Sequence, residues 1–566
     1  MPTITVYRHD LNRLAGRAPD WPLAELDEAL ALVKGELGGR ALDGATLRTS
    51  HGEWLADGLN YPLRIELKDT NRPDLWSAEG IARQLRDHAH GAGRRYDFLE
   101  RTPPGDLLID VDPALQTIRP YIGGFLAHGA MIDETELLAF IETQETLTRN
   151  FGRKRKTLSI GLYQGAGLVF PVRFRAVARD GVRFVPLPPA VGRESWPEGI
   201  ALTPEQILAT HPTGREYAPL LAGFERVPLL TDAQGEVLAL IPIINSAGAG
   251  RVTPGADSLF VEMTGTELDQ CLLALNILAT NLADRGWSIT PVTTRYPYDT
   301  PRGRLITTPC PMPVAQEVPV GEFARLLGEP ITSTEIVTRL TAYGVAAHAV
   351  DDRIQATIPS YRQDYLHAVD VVEDYAISRG YDAIAPTMAQ EFTVGHLDPL
   401  SELEDLVRDL MVGFGCEEAI CNILTSEDAV RRWMDLDEEQ GAAPFHGGRL
   451  VRIENVMNQN YALLRDWLIP SLLEIEAHSA GAAYPHRIFE AGEVAVYDPQ
   501  ANLGSRTESR LAAIIADETA SFDAAQSLVY ALLGALGVGF QVQHWRHPSF
   551  IEGRVALPRC SRHGAR

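Results

Sequence analysis

The segment PSYRQDYLHAVDVVEDYAISRGYDAI, residues 359–384, places four acidic side chains within eleven positions: Asp364, Asp370, Glu373 and Asp374. The last three are spaced i, i+3 and i+4, so a helix places them on one face. Neighbouring like charges on a helix cost roughly 0.2–0.5 kcal/mol per pair. The way in which the segment compensates this repulsion therefore bears on both fold and function.

Two interpretations of this acidic helix follow from the residues alone. Val369, Val372 and Ala376 give it an apolar side, and the acids then form a solvated face near the helix N-terminus, whose partial positive charge stabilises them. Alternatively the acids hold a hard cation, because ligand sets made only of oxygen suit Mg²⁺ or Ca²⁺ better than zinc. Spacing alone favours the solvated face.

Length and composition indicate a multidomain globular protein. The chain has 566 residues, enough for about three or four domains. Its net charge of −24 argues against general coating of nucleic acid, which needs positive surface. A local basic run is the exception, formed by Arg153, Lys154, Arg155 and Lys156.

The same composition bears on the compartment. No apolar run reaches the roughly 18 residues of a membrane span, and the opening MPTITVYRHDLNRL has no signal-peptide core. The five cysteines contain no CxxC pair, which predicts neither a disulfide framework nor a zinc site. We expect a cytoplasmic protein with no membrane contact.

Periodicity and turn residues divide the chain into four segments. We predict a mixed α/β segment at 1–110, with 291–308 as a candidate completing piece, and a second segment at 111–290. A third segment, 309–388, contains the acidic helix, and a fourth runs over 395–566. Strand and helix patterns alternate throughout, which indicates an α/β and α+β multidomain fold.

Several motifs resemble those of the beta subunits of phenylalanyl-tRNA synthetases of the archaeal and eukaryotic type. The R-x-D and D-x-x-E-D motifs of the acidic segment resemble the metal-binding module of that family. The other similar stretches are NRPDLWSAEGIARQLR (71–86), TQETLTRNFGRKRKTLSIGLY (143–163), FVEMTGTELDQCLLALNIL (260–278), HRIFEAGEV (486–494) and HPSFIEGRVA (547–556). Their order is the same as in the family over nearly the whole chain.

The resemblance implies a function and an assembly. It assigns 111–290 to an editing module, 309–388 to a metal-binding module and 395–566 to a class II synthetase-like, catalytically inactive module. The family's beta subunit joins an alpha subunit in an (αβ)₂ heterotetramer. Alpha charges tRNA(Phe) with phenylalanine using ATP and Mg²⁺, while beta supports charging and hydrolyses misacylated Tyr-tRNA(Phe). We expect no aminoacylation by this chain alone.

Site residues follow from the resemblance by position. Glu262 takes the place of the family's tyrosine-reading glutamate, although residue type alone would make it an ordinary strand acid. The other residues expected in the editing pocket are Asn245, Gly248, Gly250 and Tyr163. We assign no catalytic side chain, because positioning of a water molecule by backbone and substrate groups suffices for hydrolysis of an ester.

Metal and tRNA contacts are implied in the same way. Asp364, Asp370, Glu373 and Asp374 take the family's magnesium ligands, near the contact with alpha. The basic run of Arg153, Lys154, Arg155 and Lys156 is expected to meet tRNA phosphates. Its alternative is a solvated charge run before a strand.

Two departures from the family pattern leave other functions open. Gln164 follows Tyr163 where the family commonly has a carboxylate, which puts editing in question. The residues LPRCSRHGAR after Ala556 resemble neither the further strand nor the Gly-Glu segment of related subunits, so we expect a truncated synthetase-like module. The alternatives are a non-editing scaffold or paralogue that binds alpha or RNA, and a stand-alone aminoacyl-tRNA deacylase.

Overall fold

The computed structural model of the protein describes residues 2–38, 47–49, 52–54, 62–189, 196–197, 199–436, 449–479 and 481–560. The chain forms two compact units, residues 1–387 and 388–566. No helix within these described ranges is long and apolar enough to cross a bilayer. The predicted division into four segments is finer than these two units and stays a prediction.

The N-terminal region contains a small antiparallel sheet covered by helices. Its elements are β1 (Thr3–Tyr7), α1 (Arg8–Leu14), α2 (Leu23–Leu30), β2 (Gly35–Leu37), β3 (Leu47–Thr49), β4 (Gly52–Trp54), β5 (Pro62–Leu67) and α3 (Ala78–His90). The sheet has the order β1-β5-β2. Ser77 caps α3, because its side chain accepts a hydrogen bond from the Gly80 N–H.

A ten-stranded sheet follows. Its region contains β6 (Leu108–Val111), β7 (Tyr121–His128), α4 (Glu134–Thr146), β8 (Leu158–Gln164), β9 (Val172–Ala178), α5 (Pro204–Thr210), α6 (Pro212–Tyr217), β10 (Arg226–Thr231), β11 (Val237–Leu240), β12 (Ile244–Asn245), β13 (Ser258–Gly265), α7 (Leu268–Asp284), β14 (Ser288–Arg295) and β15 (Leu305–Thr308). The strand order is β12-β11-β10-β9-β6-β14-β7-β13-β8, and β15 pairs with β14.

This topology locates the candidate completing piece, residues 291–308. They contribute part of β14 and all of β15 to the large sheet, where β14 pairs with β6, a strand that begins at Leu108 within the predicted segment 1–110. The stretch SITPVTTR is rich in β-branched residues, which favour a pleated and half-buried surface. The candidate completing piece therefore belongs to the large sheet.

Helix α7 anchors the large sheet. It packs against β7, β13 and β14, and almost its whole length is buried. Leu273, Leu275 and Leu278 share a core cluster with Phe125 and Val261. A helix that is apolar nearly all round belongs inside a protein, so α7 fixes one face of the sheet.

The third region carries the acidic helix. Its elements are β16 (Val314–Pro319), α8 (Val320–Leu327), α9 (Ser333–Ala342), β17 (Ala346–Val350), β18 (Arg353–Ile358) and α10 (Ala368–Arg379). The strands form an antiparallel sheet of order β16-β18-β17. Val371, Val372 and Tyr375 of α10 are buried with Phe323. Val369 is exposed instead, so the apolar side of α10 lies closer to residue 375 than the spacing predicted.

The second unit is a separate α+β body. Its elements are α11 (Pro399–Gly413), β19 (Glu417–Glu418), β20 (Leu424–Thr425), β21 (Leu463–Leu464), α12 (Ile469–His478), β22 (His486–Tyr497), β23 (Ser505–Ala516), α13 (Phe522–Ala535), β24 (Phe540–His544) and β25 (Ala556–Cys560). Strands β19, β22 and β23 form one sheet, and β24 pairs with β25.

Strand β25 corrects a further expectation. The residues directly after Ala556 do form a strand, which pairs antiparallel with Phe540–His544. Pro558 is tolerated there because this two-stranded sheet consists only of edge strands, where a missing N–H need not interrupt a ladder. Residues 561–566, the rest of the tail on which the expectation of truncation rested, lie outside the described residues.

A buried polar junction joins α3 to α7 within the first unit. Arg83 donates to Asp284 Oδ2 at 2.7 Å and to Asn281 Oδ1 at 2.6 Å. The Tyr96 hydroxyl donates to Asp284 Oδ1 at 2.8 Å. The side chain of Asp284 is almost fully buried, so these partners are what makes its charge tolerable.

We expect Asp284→Ala to lower the free energy of unfolding of the first unit by about 3–5 kcal/mol, because it leaves the buried Arg83 without its counter-charge. Urea unfolding of the full chain measures this change. Glu322→Ala is the control: its ion pair with Arg325 lies at the surface, where screening by solvent leaves such a pair little effect on stability. Equal effects of the two substitutions would contradict the assignment.

Candidate functional site

A cavity of about 410 Å³ lies beside the β8 edge of the large sheet. Its walls come from α4, from β8 and from residues 239–245, and Glu262 of β13 lies on it as well. We call it the Glu262 cavity. Its lining combines apolar side chains with several polar and charged ones, so it can both bury and orient a small organic ligand.

Glu262 is a fully buried carboxyl group on this cavity. It lies directly opposite Gly124 of β7 and Gly161 of β8, so the residues paired with it leave space beside its carboxyl group. The Tyr163 hydroxyl donates to Glu262 Oε1 at 2.9 Å. The other oxygen, Oε2, is buried and has no hydrogen-bond partner in the described part of the protein.

The electrostatics of Glu262 follow from its burial. Burial raises its pKa to about 8, although the hydrogen bond from Tyr163 and the charge of Arg119 act in the opposite direction. A carboxyl group with such a pKa is partly neutral and partly ionised near neutral pH. It can therefore accept or donate a hydrogen bond toward a ligand in the cavity.

Arg119 is a buried charge near the cavity that the sequence did not reveal, and its charge acts on Glu262. Its guanidinium is buried and donates to the Thr264 hydroxyl at 2.8 Å and to the Ser159 hydroxyl at 3.0 Å. Burial lowers its pKa to about 10. Ser159 lies two residues before Gly161 in β8, and Thr264 lies two residues after Glu262 in β13, so all four share one face of the sheet. This period of two in the sequence could have placed the two hydroxyl groups beside Glu262.

The remaining predicted pocket residues divide into two groups. Asn245, Gly250 and Tyr163 line the cavity. Asn245 donates to the carbonyls of Leu162 and Gly250 at 3.2 and 3.0 Å, so its amide positions the wall. Gly248 is exposed in the turn beyond β12 and is not among the lining residues.

The basic run forms a left-handed turn at the rim of the Glu262 cavity. Arg153, Lys154 and Arg155 have φ of 49°, 56° and 66°, a conformation that few residues other than glycine adopt. Arg153, Lys154 and Lys156 are exposed. The turn separates the exposed cations from Arg155, which points inward.

Arg155 belongs to the cavity wall. It donates to Ile243 O and to Glu145 Oε1, each at 2.9 Å, and its guanidinium lies over the Tyr217 ring at 4.2 Å. A contact between Arg155 and a tRNA phosphate, as predicted for the whole basic run, does not fit this arrangement, because its guanidinium already donates to protein oxygens. The predicted contacts of the other three stay predictions.

The structure does not bring the four predicted magnesium ligands to one point. Asp370 Oδ2 accepts from the Leu366 and His367 N–H groups at 2.7 Å each, which caps α10. Glu373 pairs with Lys34 of the N-terminal region. Both carboxylates thus have protein partners away from the other two acids.

Asp364 and Asp374 both pair with the guanidinium of Arg362, at the place where a shared metal ion was predicted. Arg362 Nη2 lies 2.6 Å from Asp364 Oδ2 and 2.8 Å from Asp374 Oδ2, and the Tyr365 hydroxyl also donates to Asp374. Burial opposes ionisation of Asp364, but the charges of Arg362 and Arg72 hold its pKa well below its ordinary value. Burial prevails at Asp374 and raises its pKa.

Among the residues that the structure describes, no group of three or more His, Cys, Asp or Glu side chains is arranged to hold a metal ion. As placed, the donor set therefore does not fit a magnesium ion shared by all four acids. The solvated-face interpretation also fails for Asp374, because this side chain is buried and pairs with Arg362.

Comparison with known proteins places these features in a family. A profile described as "tRNA synthetase B5 domain" matches residues 316–381. A second, "Phenylalanyl tRNA synthetase beta chain CLM domain", matches 384–561. The phenylalanine–tRNA ligase beta subunit of Treponema pallidum subsp. pallidum is 41% identical over 504 residues, covering 87% of this chain and 80% of the relative. The chain belongs to the phenylalanine–tRNA ligase beta-subunit family.

Further relatives of the beta-subunit family support the assignment. The beta subunit of Pyrococcus abyssi is 34% identical over 556 residues, covering 98% of this chain and 92% of the relative. The crystal structure of an N-terminal fragment of the phenylalanyl-tRNA synthetase beta subunit from Pyrococcus horikoshii is similar with a TM-score of 0.58 and 31% identity. It covers 67% of this chain and 100% of that fragment. The family resemblance inferred from the motifs is thereby confirmed.

We expect the raised pKa of Glu262 to make the free energy of unfolding of the protein depend on pH. Its folded pKa of about 8 lies above its ordinary value of 4.5, so the folded state holds the proton more tightly than the unfolded state. Stability is therefore lost as pH rises from about 5 to about 8. Glu262→Gln removes this loss, and its advantage over wild type in urea unfolding should grow across that window.

Glu267→Gln is the control for this pH dependence. Glu267 is an exposed acid five positions along the same segment, and its substitution removes one carboxyl group without altering the lining of the Glu262 cavity. Wild-type and Glu262→Gln curves that stay parallel from pH 5 to pH 8 would contradict a raised pKa.

We expect excess Mg²⁺ to change the melting temperature of the wild-type chain no more than it changes that of the Asp370→Asn/Glu373→Gln variant. The reason is that the four acids have protein partners, and only a ligand that binds the folded state stabilises it. Thermal unfolding in MgCl₂ and in NaCl of matched ionic strength measures the effect. A rise specific to Mg²⁺ and to wild type would restore the shared cation site.

Proposed function

We propose that this chain is the beta subunit of a phenylalanine–tRNA ligase, which supports charging of tRNA(Phe) by an alpha subunit and hydrolyses misacylated Tyr-tRNA(Phe) in the Glu262 cavity. The observation that carries the editing part is a buried carboxyl group with one unpartnered oxygen on a cavity of about 410 Å³. A phenol is a small apolar group with one polar atom, which this lining suits.

Editing answers a physical limit on selectivity. Tyrosine is phenylalanine with an added hydroxyl, and a hydrophobic pocket rejects an added hydroxyl only about 10²-fold. A second site that binds the hydroxyl can remove the resulting errors. Glu262 supports this role because an unpaired buried carboxyl oxygen is unfavourable until a ligand donates to it.

The hydrolytic step needs no dedicated general base on this chain. The ester of Tyr-tRNA(Phe) would lie toward the cavity mouth, where backbone carbonyls and the Asn245 amide form the wall. Orientation of a water molecule against the ester carbonyl lowers the barrier by itself, because it replaces a bimolecular encounter with a held geometry. Glu262 then serves recognition of the side chain.

The exposed cations of the left-handed turn support tRNA binding at the same rim. Arg153, Lys154 and Lys156 are exposed, while Arg155 between them lies in the wall. Phosphate contacts from lysine and arginine position a nucleic acid without reading its sequence. We therefore place the acceptor end of tRNA over this turn, with its terminal ester directed into the cavity.

The second unit supports binding to an alpha subunit. Helix α11 exposes three leucines at helical spacing, Leu400, Leu403 and Leu406. Met388, Phe392 and Val394, shortly before this helix, are exposed as well. Large apolar patches on a protein surface indicate interaction sites, and an (αβ)₂ heterotetramer would cover them. In this assembly ATP and Mg²⁺ serve the charging reaction of alpha, and the complex is cytoplasmic.

The decisive experiment uses the chain co-expressed with the candidate alpha subunit. We expect the purified complex to charge tRNA(Phe) and to deacylate Tyr-tRNA(Phe). Glu262→Ala should lower the deacylation rate roughly 10- to 100-fold, the loss expected for a hydrogen bond to a carboxyl group, and leave charging unchanged. Glu267→Ala, outside the cavity, is the matched control for both assays.

The alternatives give different results in the same assays. A non-editing scaffold or paralogue binds alpha or RNA but releases no tyrosine from Tyr-tRNA(Phe). A stand-alone aminoacyl-tRNA deacylase is active without alpha and does not co-purify with it. Equal deacylation by wild type and Glu262→Ala would place the editing site elsewhere.

A further inference from the structure

Tyr163 is a buried tyrosine whose hydroxyl reaches across the sheet to Glu262. The residue directly opposite Tyr163 in β13 is Phe260, and their rings stack with centroids 6.0 Å apart. Glu262 lies two residues further along β13, opposite Gly161. The hydrogen bond of 2.9 Å from the hydroxyl to Glu262 Oε1 is therefore diagonal, and it must pass over the position of Gly161.

Gly161 leaves the space for this diagonal. A Cβ atom built on Gly161 would overlap both the Tyr163 hydroxyl and Glu262 Oε1. On the other side of Glu262, a Cβ atom on Gly124 would come within 2.8 Å of the Val261 carbonyl oxygen. Any residue other than glycine at 161 would separate the two side chains, so Gly161, Tyr163 and Glu262 act as one unit.

We infer that Tyr163 determines the specificity of the Glu262 cavity, because it holds Glu262 Oε1 and thereby presents Oε2 to the phenol of a bound tyrosyl ester. A carboxylate can accept hydrogen bonds on both oxygens, so the internal phenol and a ligand phenol can bind it together. Fixing one oxygen removes the freedom of the carboxyl group to rotate, which otherwise weakens discrimination. This inference rests on the proposed editing function and names its positioning residue.

The charged and titratable groups around Glu262 come from several elements. The Tyr163 hydroxyl donates to it from β8, and the charge of Arg119, in the segment before β7, acts on it. The charge of Glu262 also acts on Cys271 of α7. Glu145 and Arg155 line the same cavity and pair with each other. The Tyr163 hydrogen bond favours the ionised form of Glu262. Loss of the hydroxyl should therefore raise the pKa of Glu262 and move the pH dependence of tyrosine recognition upward.

The test uses Tyr163→Phe in the complex with alpha, which keeps the ring that stacks on Phe260 and removes only the hydroxyl. The probes are non-hydrolysable tyrosyl and phenylalanyl amides of 3′-aminoadenosine. We expect the preference for the tyrosyl probe to fall roughly tenfold. The inflection in the pH profile of Tyr-tRNA(Phe) deacylation should move to higher pH. In a Glu262→Ala background, Tyr163→Phe should have no further effect.

Two variants guard against a purely structural explanation. Tyr298→Phe is the matched control, because it removes another buried tyrosine hydroxyl, which donates to the Pro120 carbonyl at 2.6 Å, and should change neither readout. Gly161→Ala keeps the Tyr163 hydroxyl but separates it from Glu262, and should reproduce the loss of preference. Melting temperatures establish that each variant is folded.

The outcomes separate the inference from the proposed function. Wild-type deacylation together with an unchanged preference and pH profile in Tyr163→Phe and Gly161→Ala would overturn the inference alone. Absence of wild-type deacylation with a tyrosyl preference that Tyr163→Phe lowers would overturn the editing function and support the recognition role. Absence of both deacylation and preference in wild type would overturn both.

Discussion

A carboxyl group inside a β-sheet must be neutral or paired, because moving a charge out of water costs several kcal/mol. Glu262 satisfies this constraint only in part, since Tyr163 donates to one of its oxygens and burial still raises its pKa to about 8. A phenol that reaches the unpartnered Oε2 adds a hydrogen bond to this buried carboxyl group, whereas phenylalanine offers none. Selectivity for a hydroxyl follows from this incomplete pairing.

In the third region the acidic side chains are paired with partners from the protein itself, whereas Glu262 keeps one oxygen unpaired. Three acids at i, i+3 and i+4 do not repel one another there, because each turns to a different partner. Asp370 faces the backbone N–H groups at the start of α10, Glu373 pairs with Lys34, and Asp374 shares the buried Arg362. The helix N-terminus, a lysine from another region and an arginine are thus the partners of these acids, in place of the magnesium ion that the family resemblance implied.

The sequence predicted element types better than it predicted which way side chains point. The importance of Glu262 came from a family resemblance, because alternation along FVEMTG cannot distinguish a buried acid from an exposed one. Val369 was assigned to the apolar side of α10 but is exposed, since packing against α9 and β16 rotates that side toward Tyr375. Arg155 was expected at the surface, and no sequence signal predicts three left-handed residues in a row.

Helix α7 connects the sheet that carries Glu262 with the third region that carries the buried Arg362 pair. Its apolar residues would pack in several registers, but Asn276 donates to the carbonyls of Cys310 and Ser360 at 2.8 Å each. Asn281 donates to the Ser77 hydroxyl at 3.0 Å. Buried amides must be satisfied, so these contacts allow one register of α7 against the N-terminal and third regions. The sheet that carries Glu262 packs on the same helix. Apolar packing alone would leave its position relative to the buried Arg362 pair undetermined, and the hydrogen bonds of Asn276 and Asn281 determine it.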